Sequence, residues 1–161
     1  MAKTQNQKVE KAKKVCVRNS LDMTEKFIQF LENFSSETLE ELESIYHEDI
    51  SYVDPINKGQ GIKHLRLIMQ DLLKVFKNVK FELLEISENK QLAFVCWNMT
   101  YKFRGKNYLI NGVSKLDFDD SGKIIKHEDY WDASFPLYGT FPFLGLLMKG
   151  IKRLVSVKPP K

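Results

Sequence analysis

Two aspartates stand where proton chemistry could be done. Asp54 closes the run "SYVDP" and is followed at once by Pro55. Asp129 lies in "KIIKHEDYWD", two residues after His127 and two before Trp131. Side chains alternate between the two faces of a strand. Ile125, His127, Asp129 and Trp131 therefore share one face, while Lys126, Glu128, Tyr130 and Asp132 share a wet one. If the first set faces a core, Asp129 is a carboxylate pointing inward between an imidazole and an indole. Such a group is costly unless paired, hydrogen-bonded or neutralised. It is either a satisfied structural acid or an acid/base group whose pKa burial has moved. Asp54 has the same two readings: a strand-end carboxylate bonding the turn that follows, or a general base in an apolar cavity.

The elements that must hold these residues can be read from periodicity. Met23, Phe27, Phe30, Leu31 and Phe34 recur at helical spacing, with Asn19 or Ser20 as cap. A second helix follows "SSET" and buries Leu39, Leu42, Ile45 and Tyr46; acids fill its first turns. Ile62, Leu65, Met69, Leu72, Leu73 and Phe76 form the apolar stripe of a third. After Asn78 the pattern changes to long strands, with hairpin signals at Arg104–Asn107 and Asp119–Gly122. Helices followed by a meander of strands predict an α+β fold: a cone of three N-terminal helices packed on a strongly curved antiparallel sheet, plus a C-terminal helix.

Placing the charged residues outside sorts the strands. Val95, Trp97, Met99, Tyr101 and Phe103 face inward on one, and Ile110, Gly112, Ser114 and Leu116 on the next. Gly112 marks a bend or bulge. Tyr52 and Asp54 share a side of the first strand. The concave face is then aromatic and aliphatic, with Tyr101, Ser114, His127 and Asp129 as its polar groups. In a cone, that face is either core or cavity wall.

Composition narrows the classes. The chain has 161 residues and a formal net charge of +4, with its basic residues gathered at the two ends rather than interleaved with aromatics. No nucleic-acid footprint results. Cys16 and Cys96 make neither a disulfide framework nor a metal pattern, and His127 has no partner at ligand spacing. No signal or spanning segment is visible, so the expected location is cytoplasmic. Residues 1–18 read as a polar basic tail, 19–135 as the domain, and 136–161 as an amphipathic basic helix and tail. In that last segment Phe143, Leu144, Leu147, Met148, Ile151 and Leu154 fall on one side, with Lys149, Lys152 and Arg153 on the other. It suits a lid, a dimer contact or a peripheral membrane contact.

The stretches "SYVDPINKGQGIKHL" and "GVSKLDFDDSGKIIKHEDYWD" resemble the nuclear-transport-factor-2-like superfamily, which includes ketosteroid isomerases, SnoaL-type polyketide cyclases and limonene-epoxide hydrolases. The resemblance covers roughly residues 20–135. It implies that Asp54-Pro55 stands where the isomerases keep their general base, and that Asp129, with His127, matches the acid/base group on the last strand of the cyclases. Tyr52-Val53-Asp54 is similar to the Tyr-x-Asn with which the hydrolases hold water, but Met99-Thr100-Tyr101 replaces their Arg-x-Asp. The expected protein is then a cofactor-free isomerase, cyclase or hydrolase acting on a small apolar molecule of polycyclic or lipid-like shape. Asp54 and Asp129 would be catalytic, and Tyr52, Trp97, Met99, Tyr101, Ser114, His127 and Trp131 would bind or orient. The alternative is a non-catalytic ligand-binding or membrane-surface module of the same fold. A homodimer is expected from the open sheet, and no metal or organic cofactor.

Overall fold

The computed structural model describes residues 24–133 and 142–156. The chain divides into two units, Met1–Trp131 and Asp132–Lys161. The 1–18 tail and the helix cap expected at Asn19 or Ser20 lie outside the described residues.

The first unit opens with helix α1 (residues 24–32), which buries Phe27, Phe30 and Leu31, with Phe34 just beyond it. Ser35 and Thr38 then bond reciprocally: the Ser35 N–H donates to Thr38 Oγ1 at 3.0 Å and the Thr38 N–H to Ser35 Oγ at 3.4 Å. This arrangement resembles a capping box and launches a 3-10 turn (Thr38–Glu41) that runs into the short helix α2 (Leu42–Ile45). Helix α3 (Ile62–Val75) starts at Gly61, whose φ of 83° suits glycine. It buries Leu65 and Met69. Arg66 ties α3 to α2, reaching the Leu39 carbonyl at 2.5 Å and both carboxylate oxygens of Glu43 at 2.6 and 2.7 Å.

Six strands make one curved sheet: β1 (Tyr46–Val53), β2 (Lys58–Gln60), β3 (Lys77–Glu88), β4 (Leu92–Phe103), β5 (Lys106–Phe118) and β6 (Ile124–Trp131), in the order β2-β1-β6-β5-β4-β3. The β3–β6 meander is antiparallel throughout. Arg104 and Gly105 turn β4 into β5 with φ of 48° and 81°, as a two-residue hairpin of the favoured hand requires. The sheet is not wholly antiparallel, because β1 pairs with β6 in parallel, Tyr52 beside His127. Helix α3 and the meander intervene between these two strands, which leaves the connection long enough for a parallel crossover.

The inward faces of β4 and β5 are as expected, with Val95, Trp97, Met99, Tyr101, Ile110, Ser114 and Leu116 all buried. Three local readings are corrected. Tyr46 is not helical; its extended backbone opens β1 and its ring is fully buried. Strict alternation placed Ile125 inward, but Phe118 pairs with Ile124 while Asp117 pairs with Lys126. Ile125 is thus the extra residue of a bulge, and Ile124 takes the core position at 0% exposure. Gly112 marks no bulge, since the β4–β5 register runs through it unbroken. The indole of Trp97 lies where a Cβ at this position would be.

The second unit contains helix α4 (Pro142–Val155). No helix among the described residues is long and apolar enough to cross a membrane.

Candidate functional site

Asp129 is carried by β6, with Ser114 directly across on β5 and Tyr52 on the parallel neighbour β1. Its side chain is 13% exposed and is met on three sides. Ser114 Oγ donates to Oδ1 at 2.5 Å, His127 Nε2 approaches the same oxygen at 2.8 Å, and the Tyr52 hydroxyl reaches Oδ2 at 3.0 Å. A further shell fixes these partners. Trp97 Nε1 donates to Ser114 Oγ at 2.9 Å, and the hydroxyl of Tyr46 lies 3.0 Å from His127 Nδ1. The imidazole is stacked along Tyr46 and met edge-on by Phe27 and Tyr52.

Donor counting assigns the tautomer. Burial pushes the Tyr46 hydroxyl well above its ordinary pKa, and the Asp129 charge adds to this, so the phenol keeps its proton. That proton has His127 Nδ1 as its acceptor. In its neutral form the ring therefore carries its own proton on Nε2 and gives it to Asp129. Burial by itself would raise the Asp129 pKa. The imidazole beside it, and the hydrogen bonds from His127, Ser114 and Tyr52, outweigh burial and hold the carboxyl below its ordinary value. Asp129 is an ionised, well-solvated carboxylate whose solvent is the protein.

Asp54 is held differently. Its Oδ1 accepts the backbone N–H groups of Ile56 and Asn57, each at 2.6 Å, and its Oδ2 accepts Asn57 Nδ2 at 3.0 Å. These bonds close the turn after Pro55. The same Oδ2 lies 3.0 Å from the Tyr52 hydroxyl, so one phenolic proton serves both aspartates. Burial, then the charges of Asp129 and Asp54, raise the Tyr52 pKa well above ordinary, and it stays a donor.

Beside Asp129 lies a cavity of about 70 Å³, bounded by Tyr52, Asp54, Trp97, Met99, Ser114, His127, Asp129 and Trp131 from the sheet. Helical Leu31, Ile68, Met69 and Leu72, with Phe34 and Phe81, close it. Among the described residues, no Lys or Arg lines it. Of the residues singled out from sequence, only Tyr101 is elsewhere: it packs on Phe76 and Tyr108, with ring centroids 4.5 and 5.4 Å away. Burial and the neighbouring Tyr108 push its hydroxyl up to about 12. The sequence reading missed Tyr46, which it had assigned to a helix, and the helical wall of the cavity. The apolar stripes of α1 and α3 carried the signal for that wall.

The profile of the SnoaL-like domain family matches residues 27–127. The chain belongs to the SnoaL-like domain family. Solved structures agree with the nuclear-transport-factor-2-like fold. A hypothetical protein with a ketosteroid isomerase-like fold from Catenulispora acidiphila, solved with trimethylamine, aligns at a TM-score of 0.62 and 13% identity, covering 71% of this chain and 88% of that one. An epoxide hydrolase of the limonene-epoxide-hydrolase-like type from M. tuberculosis aligns at 0.60 and 15%, covering 86% and 97%. TerC co-crystallised with polyporic acid aligns at 0.62 and 16%, covering 71% and 92%. At these identities the likeness is one of fold. No curated protein matches the chain.

Proposed function

We propose that this protein is a cofactor-free enzyme that moves a proton on a small, largely apolar molecule, with Asp129 as general base. The observation that carries this reading is an ionised carboxylate opening on a largely apolar cavity whose described wall holds no Lys or Arg. His127, Ser114 and Tyr52 orient the acid, each through a hydrogen bond to its carboxylate. Asp54, given acid/base work from sequence, is better suited to positioning Tyr52, because the turn already occupies both its oxygens. The neighbours with trimethylamine and polyporic acid support small organic molecules as the ligand class for such folds. The cavity is well below the ~300–1,000 Å³ of pockets that enclose drug-sized ligands. It favours a compact molecule over the polycyclic or lipid-like one expected from sequence.

The test needs no knowledge of the whole reaction. Compact cyclic ketones and enones are incubated in D₂O, and exchange at the carbon next to the carbonyl is followed by proton NMR. Wild type should accelerate exchange in at least one of them, and Asp129→Asn should abolish it while still folding. One observation favours a second reading as a binding module: Asp129 is stabilised in its charged form, which weakens it as a base. Ligand-induced shifts without exchange anywhere in the panel would favour that module.

A further inference from the structure

We propose that α4 is an interfacial anchor that seats the protein on an anionic lipid surface, independently of any chemistry at Asp129. The helix has 14 residues and is about 21 Å long, too short for a hydrocarbon core of about 30 Å. Phe143, Leu146, Leu147, Ile151 and Leu154 stand at i, i+3, i+4, i+8 and i+11, which puts them on one face. They are exposed rather than packed: Phe143 by 91%, Leu154 by 86% and Leu146 by 73%. Lys152 lies opposite that face and Arg153 on its edge beside Leu146, both exposed.

Charge selects the occupant. After Asp132 the sequence contains no acidic residue, while Lys149, Lys152, Arg153, Lys158 and Lys161 are all basic. A second copy of the same segment would bring like charges together and offer no carboxylate to answer them. A surface of anionic headgroups over acyl chains answers both parts at once, with apolar residues entering the boundary and the basic flank remaining among the phosphates.

The experiment is co-sedimentation of the full chain with vesicles of phosphatidylcholine alone or mixed in equal parts with phosphatidylglycerol. The mixed vesicles should bind it at least about tenfold more tightly, and added salt should erode the difference. Leu147→Glu should abolish binding. Lys152→Glu with Arg153→Glu should weaken it by well over tenfold, since each basic residue near such a surface contributes roughly a factor of five. Leu147 is exposed, so the domain should melt at an unchanged temperature. Equal binding to both vesicles, no binding to either, or undiminished binding by Leu147→Glu would overturn the proposal. So would a wild-type dimer that Leu147→Glu splits in ultracentrifugation without any vesicle binding, which would make the occupant a second copy.

Discussion

His127 and Asp129, two residues apart on the inner face of β6, meet at 2.8 Å between Nε2 and Oδ1. The geometry works only if the other ring nitrogen has its own partner, and Tyr46 is that partner. Tyr46→Phe leaves Nδ1 buried without a donor. The expected loss is about 1–3 kcal/mol in urea unfolding. Nitrogen-15 spectra of the wild type should show the Nε2–H tautomer, and the variant should show it weakened.

Asp129 makes acid sensitivity a property of the fold. Its folded-state pKa lies below the ordinary 3.8, so folding favours the ionised form. The stability it contributes is complete above the unfolded value and disappears as pH falls through the folded one. Melting temperatures of wild type should therefore drop below about pH 4 more steeply than those of Asp129→Asn. Superimposable acid limbs for the two proteins would show that the carboxylate contributes nothing.

Tyr52 is one of the groups holding that pKa down. Tyr52→Phe should move the carbon-13 titration of the Asp129 carboxyl upward, with His127 and Ser114 still in place. An unmoved titration would mean that the shared phenolic proton belongs to Asp54 alone.

The two aspartates were legible in the sequence, but the different ways in which they are held were not. Alternation alone put His127 and Asp129 on one face, and the same reasoning recovered the inner faces of β4 and β5. What failed was whatever depends on distant pairing. Nothing local in Tyr46 announces that β1 will lie parallel to β6, yet that pairing makes Tyr46 the partner of His127. The bulge at Ile125 is likewise decided by how β5 and β6 meet, not by the identical neighbours Ile124 and Ile125. Asp54 shows the reverse case: its turn bonds are local, and aspartate before Pro55 suggested them, but the sequence could not weigh them against catalysis.

That weighing can be measured. Asp54→Ala removes the acceptor for the amides of Ile56 and Asn57. It should cost about 1–3 kcal/mol and speed hydrogen exchange at those two amides, leaving exchange at Asp129 and Ser114 nearly unchanged. An effect confined to turnover would return Asp54 to the catalytic role.

Gly112 tests the packing behind Ser114. Gly112→Ala drives a methyl group into the Trp97 indole and should destabilise by about 1–3 kcal/mol, with a change in tryptophan fluorescence. A smaller residue at 97 in the same chain should recover part of the loss, at the expense of the bond to Ser114.

Tyr52 and Asp129 are 77 residues apart in the chain but on adjacent strands. Closing so long a span has an entropic cost, and contacts of this kind form slowly. As the polypeptide is synthesised, β1 must wait for β6 with one edge bare, guarded only by the short β2 on the other. A product broken off before β6 would carry Tyr52 and Asp54 without the acid they serve. It would also offer an open strand for mispairing with its neighbours. Completion of the fold thus turns on β6, whose arrival closes the cavity wall and covers that edge in the same step.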